Sequence, residues 1–409
     1  MLTRRVFLRG SAIAMAGAGS VPFWLGRAAA NTGARRKVLV AIFQRGAADG
    51  LNVVAPFAEK RYYELRPTLA IASPSSGNNG VGPPAIDLDG QFGLNPLLDP
   101  FKDLWDRRML AIVEATGSPD PSRSHFDAQD YMESGTPGMK RDGWLNRALP
   151  PGGPDASPLR AISISANLPR TLQGDFPAIA INDMKQFSAG ASNAAIVERM
   201  YAASPDKPLA MAGKDAFAAM RMIESLNRTS YSPSNGAQYP QGGELGRSLR
   251  QVAQLIKADA GVEAAFAEIG GWDHHQNEPQ QMSNVLRQFG AALSAFAKDM
   301  GDRMEDVVVV TMSEFGRTAR ENGNNGTDHG HGDVMFVMGG PVRGGKIYGQ
   351  WPGLEEEQLY EGRDLAVTTD FRQVLWELVS GHLGATNLPQ VFPGYKAAAP
   401  LGLLKQTSV

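Results

Sequence analysis

The chain has 409 residues with 40 basic and 42 acidic side chains, a formal charge of −2 with histidines neutral, which leaves no electrostatic footprint for nucleic acid. Hydrophobic residues make up 43% and charged residues 20%, the composition of a globular protein with a sizeable core and not of a disordered, fibrous or fully membrane-embedded chain. Cysteine is absent from the sequence, so disulfides, thiol nucleophiles and zinc–thiolate sites are excluded, and any metal must be held by His, Asp and Glu.

At the N-terminus, Thr3-Arg4-Arg5-Val6-Phe7-Leu8-Arg9 precedes a weakly apolar, glycine-interrupted stretch that runs to Trp24 and Leu25, and Ala28-Ala29-Ala30 supplies small residues suited to a signal peptidase. Residues 1–30 resemble a twin-arginine export signal. Their apolar run falls short of the roughly 20 residues that span a bilayer, so no stable membrane span is expected after cleavage. Removal of Arg4, Arg5, Arg9 and Arg27, with no acid among them, takes the formal charge from −2 to −6. The expected product is a mildly acidic periplasmic or secreted protein of residues 31–409, with the twin-arginine translocase as its partner during export. A cysteine-free chain needs no oxidising compartment to finish folding.

Residues 37–43 form a continuous apolar run rich in β-branched side chains, the pattern of a buried strand in a parallel sheet. Similar runs at 109–115, 161–165, 178–181, 262–269, 307–312 and 334–338 are spaced widely enough for crossover helices or long excursions. Met282, Val285, Leu286, Phe289, Leu293 and Phe296 recur at steps of three and four along one helix face, and 216–226, 245–256 and 371–378 read the same way. Residues 72–84 and 230–242, rich in Ser, Pro, Asn and Gly, read as surface excursions. With no internal repeat and no compositional break, 31–409 is expected to be a single α/β domain with a mostly parallel central sheet flanked by helices.

Polar residues gather where these strands end, which is where open α/β sheets bind ligands. Asp49, with Arg45 and Asn52 nearby, follows the first strand, although Asp-Gly is also a common turn. Ser122-Arg123-Ser124-His125-Phe126-Asp127 opens a helix that continues through Tyr131 and Glu133. Ser124 there is either a helix cap or a hydroxyl nucleophile facing an anion at the helix N-terminus, beside His125, which can orient or bind. Gly270-Gly271-Trp272-Asp273-His274-His275-Gln276-Asn277 puts a carboxylate and two imidazoles on one turn, suited to a divalent ion, while Asp273 alone equally suits a cap. Ser313-Glu314-Phe315-Gly316-Arg317-Thr318 offers a carboxylate ligand, Glu314, and an arginine able to clamp an anion; a surface ion pair is its plainer reading. Thr327-Asp328-His329-Gly330-His331-Gly332-Asp333 packs His-Gly-His between carboxylates, either as metal ligands or as a solvated tip.

Together, "FQRGAADGLN", "SRSHFDAQDYMESG", "GGWDHHQN", "SEFGRT" and "TDHGHGDVMFVMGG" resemble the exported bacterial family known as domain of unknown function 1501, grouped with the alkaline phosphatase–sulfatase superfamily. The resemblance covers nearly all of residues 37–395. It implies an alkaline phosphatase-like fold and a divalent metal (Zn, Mn or Ca). It also implies a metal set drawn from Asp49, Asp273, His274, His275, Glu314, His329 and His331, with Ser124 as nucleophile. The pattern departs at two places: the usual spacing after Asp273 selects Asn277 where a histidine is expected, and Ser313-Glu314 lacks the histidine of an Asp-His pair. A two-metal in-line displacement therefore does not follow from the resemblance.

The leading expectation is a metal-dependent hydrolase of phosphate or sulfate esters acting on a small-molecule anionic ester. Ser124 or a metal-bound water would attack, and Arg45 or Arg317 would hold the non-reacting oxygens. The alternative is a non-catalytic binding or assembly protein on the same scaffold, because fold does not imply function.

Overall fold

The computed structural model describes residues 35–79, 82–138, 142–151, 156–187 and 194–406; the export signal assigned to residues 1–30 lies outside them. Strands β1 (Val38–Gln44), β2 (Val54–Ala55), β3 (Ile86–Asp87), β4 (Gly93–Leu94), β5 (Leu110–Gly117), β6 (Ala161–Ser163), β7 (Ile179–Ala180), β8 (Ala264–Ile269), β9 (Val307–Ser313), β10 (Asp333–Gly339), β11 (Lys346–Tyr348) and β12 (Thr369–Asp370) appear in that chain order. The main sheet runs β11-β5-β10-β9-β1-β8-β6-β7, with β12 also paired to β5, and a small sheet is ordered β2-β4-β3.

The apolar runs become central strands because both of their faces are covered. In β1, Val38, Val40 and Ile42 enter one buried cluster while Leu39, Ala41 and Phe43 enter the other, the two-residue alternation of a strand packed on both sides. The first cluster is completed by Leu249, Val252 and Ile256 of the Glu244–Lys257 helix and by Leu286, Phe289, Leu293 and Phe296 of the Glu278–Met300 helix. On the opposite face, Tyr131 and Met132 of the His125–Ser134 helix join Phe371, Leu375 and Leu378 of the Phe371–Gly381 helix. Among the described residues, no helix is long and apolar enough to cross a membrane.

Strand direction positions the site. β1 is parallel to β8 and β9, β10 runs antiparallel to β9 and β5, and β6, β11 and β12 are parallel to their neighbours. Because β10 reverses, the segment that enters it lies at the same sheet edge as the segments that leave β1, β5, β8 and β9. Stretches far apart in sequence, carrying Asp49, Ser124 and His125, Asp273 to His275, Glu314 and Arg317, and His329 to Asp333, thus meet along one edge.

Candidate functional site

Arg317 assembles the loops at this edge. It is 2% exposed; its Nε donates to the carbonyl of Ala47 (2.8 Å), its Nη1 to Thr327 O (3.2 Å), and its Nη2 to Gly46 O (2.6 Å), Trp272 O (3.0 Å) and Asp273 Oδ1 (2.6 Å). One guanidinium fork thereby ties the loops after β1 and β8 to the loop before β10. Close backbone contact explains two glycines: Gly46 has φ +118° and a Cβ there would stand 2.7 Å from Asp273 N, while a Cβ on Gly330 would collide with the Arg317 backbone.

The loops converge on Asp273. Its Oδ1 lies 3.1 Å from His275 Nε2 and 3.4 Å from His329 Nε2, its Oδ2 lies 3.6 Å from His125 Nε2, and the two ring nitrogens of His275 and His329 are 3.0 Å apart. His125, Asp273 and His329 can each offer a ligand atom within 4.8 Å of the others. Phe315, 3% exposed, packs against the rings of His125 and His329 at 5.1 and 5.0 Å between centroids.

Each imidazole is held from behind through its other nitrogen. His125 Nδ1 bonds Glu314 Oε1 (2.7 Å), His275 Nδ1 bonds Asp328 Oδ1 (3.1 Å), and His329 Nδ1 bonds the carbonyl of Arg123 (2.9 Å). A carbonyl and an ionised carboxylate accept only, so each Nδ1 carries a hydrogen and each neutral ring presents a bare Nε2 lone pair to Asp273. Lone pairs facing each other at 3.0 Å, as in His275 and His329, repel unless a proton or cation lies between them. Three imidazoles and a carboxylate, with acceptors fixing the ring tautomers, fit a divalent metal of the Zn or Mn type.

Electrostatics follow the same pattern. The hydrogen bond to Glu314 raises the His125 pKa against the opposing effect of burial, whereas burial lowers that of His329. Burial would raise the Glu314 carboxyl, but bonds from His125, Gln129 Nε2 (2.8 Å) and Gly46 N (2.9 Å) outweigh it and keep the group ionised. Burial likewise acts to raise Asp273, and the Arg317 guanidinium prevails to lower it.

Several expected residues lie elsewhere. Asp49, 1% exposed, accepts two bonds from Arg66 (2.5 and 2.8 Å), and that ion pair takes the carboxylate away from the cluster. Glu314 sits behind His125, not among the inward-facing atoms. His274 is 1% exposed and His331 is stacked on Tyr360 at 4.4 Å; of the adjacent histidines, His275 alone faces Asp273. Arg45 and Arg317, expected to hold ester oxygens, are committed within the protein. Arg45 bonds Glu133 (2.8 Å), Glu268 (2.9 Å) and Gln129 (3.1 Å), while Arg317 holds carbonyls and Asp273. Asn277 is the left-handed residue, φ +48°, that opens the Glu278–Met300 helix. Ser124 stands at the N-cap of the His125–Ser134 helix, yet its hydroxyl makes no capping bond.

His125 is absent from the metal set expected from sequence. Its sequence signal was adjacency to Ser124, which drew attention to the hydroxyl; only the Glu314 bond across 189 positions shows the imidazole turned inward.

The fold and site define an α/β protein carrying a histidine–carboxylate cluster at one edge of a mostly parallel sheet. The family model described as protein of unknown function (DUF1501) matches residues 111–390, and the chain belongs to that family. No curated protein matches the chain. Among solved structures, it is similar to the alkaline phosphatase from the Antarctic bacterium TAB5, at 10% identity over 76% of this chain and 93% of that one, TM-score 0.30. It is also similar to the C-terminal periplasmic domain of EcEptC from Escherichia coli in complex with Zn, at 9% identity over 75% and 73%, TM-score 0.30. A third is the Thermus thermophilus alkaline phosphatase, at 13% identity over 69% and 60%, TM-score 0.29. The functional reading therefore starts from the site's own residues.

Proposed function

We propose that the protein is an exported, metal-dependent hydrolase of phosphate or sulfate esters, working in the periplasm or outside the cell on a small-molecule anionic ester. The observation that carries this reading is the meeting of three Nε2 lone pairs, from His125, His275 and His329, on the Asp273 carboxylate. These four residues would hold the ion, and their imidazole-rich set suits Zn or Mn better than Ca. A divalent ion bound there supplies Lewis acidity, lowering the pKa of a nearby hydroxyl or water and neutralising charge on an ester oxygen.

The chain's own groups supply the rest. Glu314 fixes the His125 tautomer and raises that ring's basicity. Ser124, one residue before His125 and free of a capping bond, is the candidate nucleophile. The more exposed arginines beside the cluster, Arg123 and Arg363, are themselves paired, Arg123 Nη2 with Glu361 and Asp364 at 2.7 Å each and Arg363 Nη1 with Asp364 at 3.6 Å. Arg123 lends its carbonyl to His329 Nδ1 and Arg363 donates to His329 O at 2.7 Å, so both flank the cluster.

The test is elemental analysis of protein purified without chelators, alongside turnover of an aryl phosphate and an aryl sulfate. About one equivalent of metal, lost in both His275→Ala and His329→Ala together with turnover, is expected. Metal-free wild-type protein refutes the reading. A metal-loaded protein that turns over neither ester makes it an exported binding protein instead.

A further inference from the structure

A buried polar network adjoins the loops that carry the imidazole cluster, and one side chain in it ties three of those segments together. Glu278 begins the Glu278–Met300 helix, just past the loop that leaves β8, and is 0% exposed. Its Oε1 accepts from Asn52 Nδ2, in the segment after β1, at 3.2 Å, and its Oε2 accepts from Thr327 Oγ1, in the segment before β10, at 2.8 Å. Asn52 is fixed in turn by the Tyr62 hydroxyl, which donates to its Oδ1 at 2.7 Å.

Thr327 carries the connection to the residues that face Asp273. It is 0% exposed, and each of its polar groups holds a different element. Its amide donates to His274 O at 3.1 Å, its carbonyl accepts from Arg317 Nη1 at 3.2 Å, and its hydroxyl donates to Glu278. His274 directly precedes His275, and His329 follows two positions after Thr327. Arg317 holds Asp273 Oδ1 at 2.6 Å and forms a backbone bridge with His329. The helix start is laced to the same loop, because the amides of Asn277 and Glu278 donate to the carbonyls of Asn324 (3.2 Å) and Asn325 (2.8 Å).

Burial and the neighbouring Asp49 charge push the Glu278 carboxyl well above its usual range, and it is hydrogen-bonded to Asp49. A protonated acid gives its O–H to Asp49 and keeps acceptor oxygens for Asn52 and Thr327. Without that acceptor the Thr327 hydroxyl, shut away from water, is left unpaired, so the loop must shift to satisfy it.

We propose that Glu278 is a positioning residue for the metal cluster: through Thr327 it sets the spacing of His275 and His329 around Asp273, and with it the affinity for a divalent ion. The inference rests on the proposed metal site and adds to it a residue that hydrogen-bonds none of the four ligands.

The test is titration of the full chain, stripped of metal, with Zn²⁺ against a competing chelator, well below the melting transition. Glu278→Ala and Thr327→Val should each weaken Zn²⁺ binding about 10–100-fold. Glu278→Gln, whose amide can donate to Asp49 and accept from Thr327, should keep wild-type affinity, as should Thr327→Ser. The double variant Glu278→Ala/Thr327→Val should bind no more weakly than the worse single one, since both break the same bond. A purely structural role lowers the melting temperature of Glu278→Ala and leaves the Zn²⁺ affinity of the folded protein unchanged; that result overturns the proposal. Equal losses in Glu278→Gln and Glu278→Ala overturn it too, and so does unchanged affinity in Thr327→Val, which keeps the test decisive if Glu278→Ala fails to fold. A wild-type chain that takes up no Zn²⁺ overturns the metal reading and this inference with it, whereas uptake that neither Glu278→Ala nor Thr327→Val alters overturns this inference alone.

Discussion

The Asp49–Arg66 ion pair separates the role that family resemblance assigns to Asp49 from the role seen in the structure. The two side chains are 1% and 0% exposed and joined bidentately at 2.5 and 2.8 Å; Arg66 also donates to the carbonyls of Thr318 (2.9 Å) and Ala319 (3.0 Å). Burial acts to raise the Asp49 carboxyl, but the Arg66 charge together with hydrogen bonds from Glu278 and Arg66 holds it below the usual carboxylate range. Glu278, accepting from Asn52 Nδ2 (3.2 Å) and Thr327 Oγ1 (2.8 Å), is pushed well above its usual range by burial and by Asp49. Removing a single partner strands the other charge in the core, at a cost of about 3–5 kcal/mol. Asp49→Asn and Arg66→Met should each lose about that much in urea denaturation at pH 7, and the double variant should lose clearly less than the two added together. Metal content per folded molecule should stay at the wild-type level in Asp49→Asn. A loss below about 1 kcal/mol in either single variant refutes the buried-pair argument. A folded Asp49→Asn protein without metal shows instead that Asp49 is a ligand.

Burial lowers the pKa of His382, whose Nε2 lies 3.0 Å from Val38 O, to about 4. The unfolded value is about 6.5, so the folded state binds fewer protons. The His382 contribution is fully present above pH 6.5 and is lost as pH falls toward 4. The loss reaches roughly 3 kcal/mol at about 1.4 per pH unit, and denaturation midpoints at pH 7 and pH 5 should converge in His382→Gln. Glu314→Gln, which weakens the hold on His125 Nδ1, should reduce metal affinity about 10–100-fold without unfolding the chain, as read by chelator competition. Ser124→Ala should abolish ester turnover at unchanged metal content and, since no capping bond is lost, shift the melting temperature by no more than about a degree; full turnover in that variant removes the serine from the mechanism.

Local pattern was enough for the central strands, though not for the edge strands β11 and β12 or the reversal of β10. The β-branched runs 37–43, 109–115, 262–269, 307–312 and 334–338 became β1, β5, β8, β9 and β10 within about two residues at their ends, because a strand covered on both faces must be apolar at every position. Helix periodicity likewise placed the Glu244–Lys257 and Glu278–Met300 helices, and the polar stretches at strand ends marked the edge where the site lies. What each polar residue does there was settled by partners distant in sequence: Arg66 for Asp49, Glu314 for His125 across 189 positions, and the Gly46, Ala47 and Trp272 carbonyls for Arg317. Composition and motif spacing record which donors and acceptors exist but not which meet. His274 and His275 are adjacent in the chain, yet the turn sends one into the core and the other to Asp273. A buried charge must find its counter-charge or lose its proton, and only the packed chain determines where that counter-charge lies.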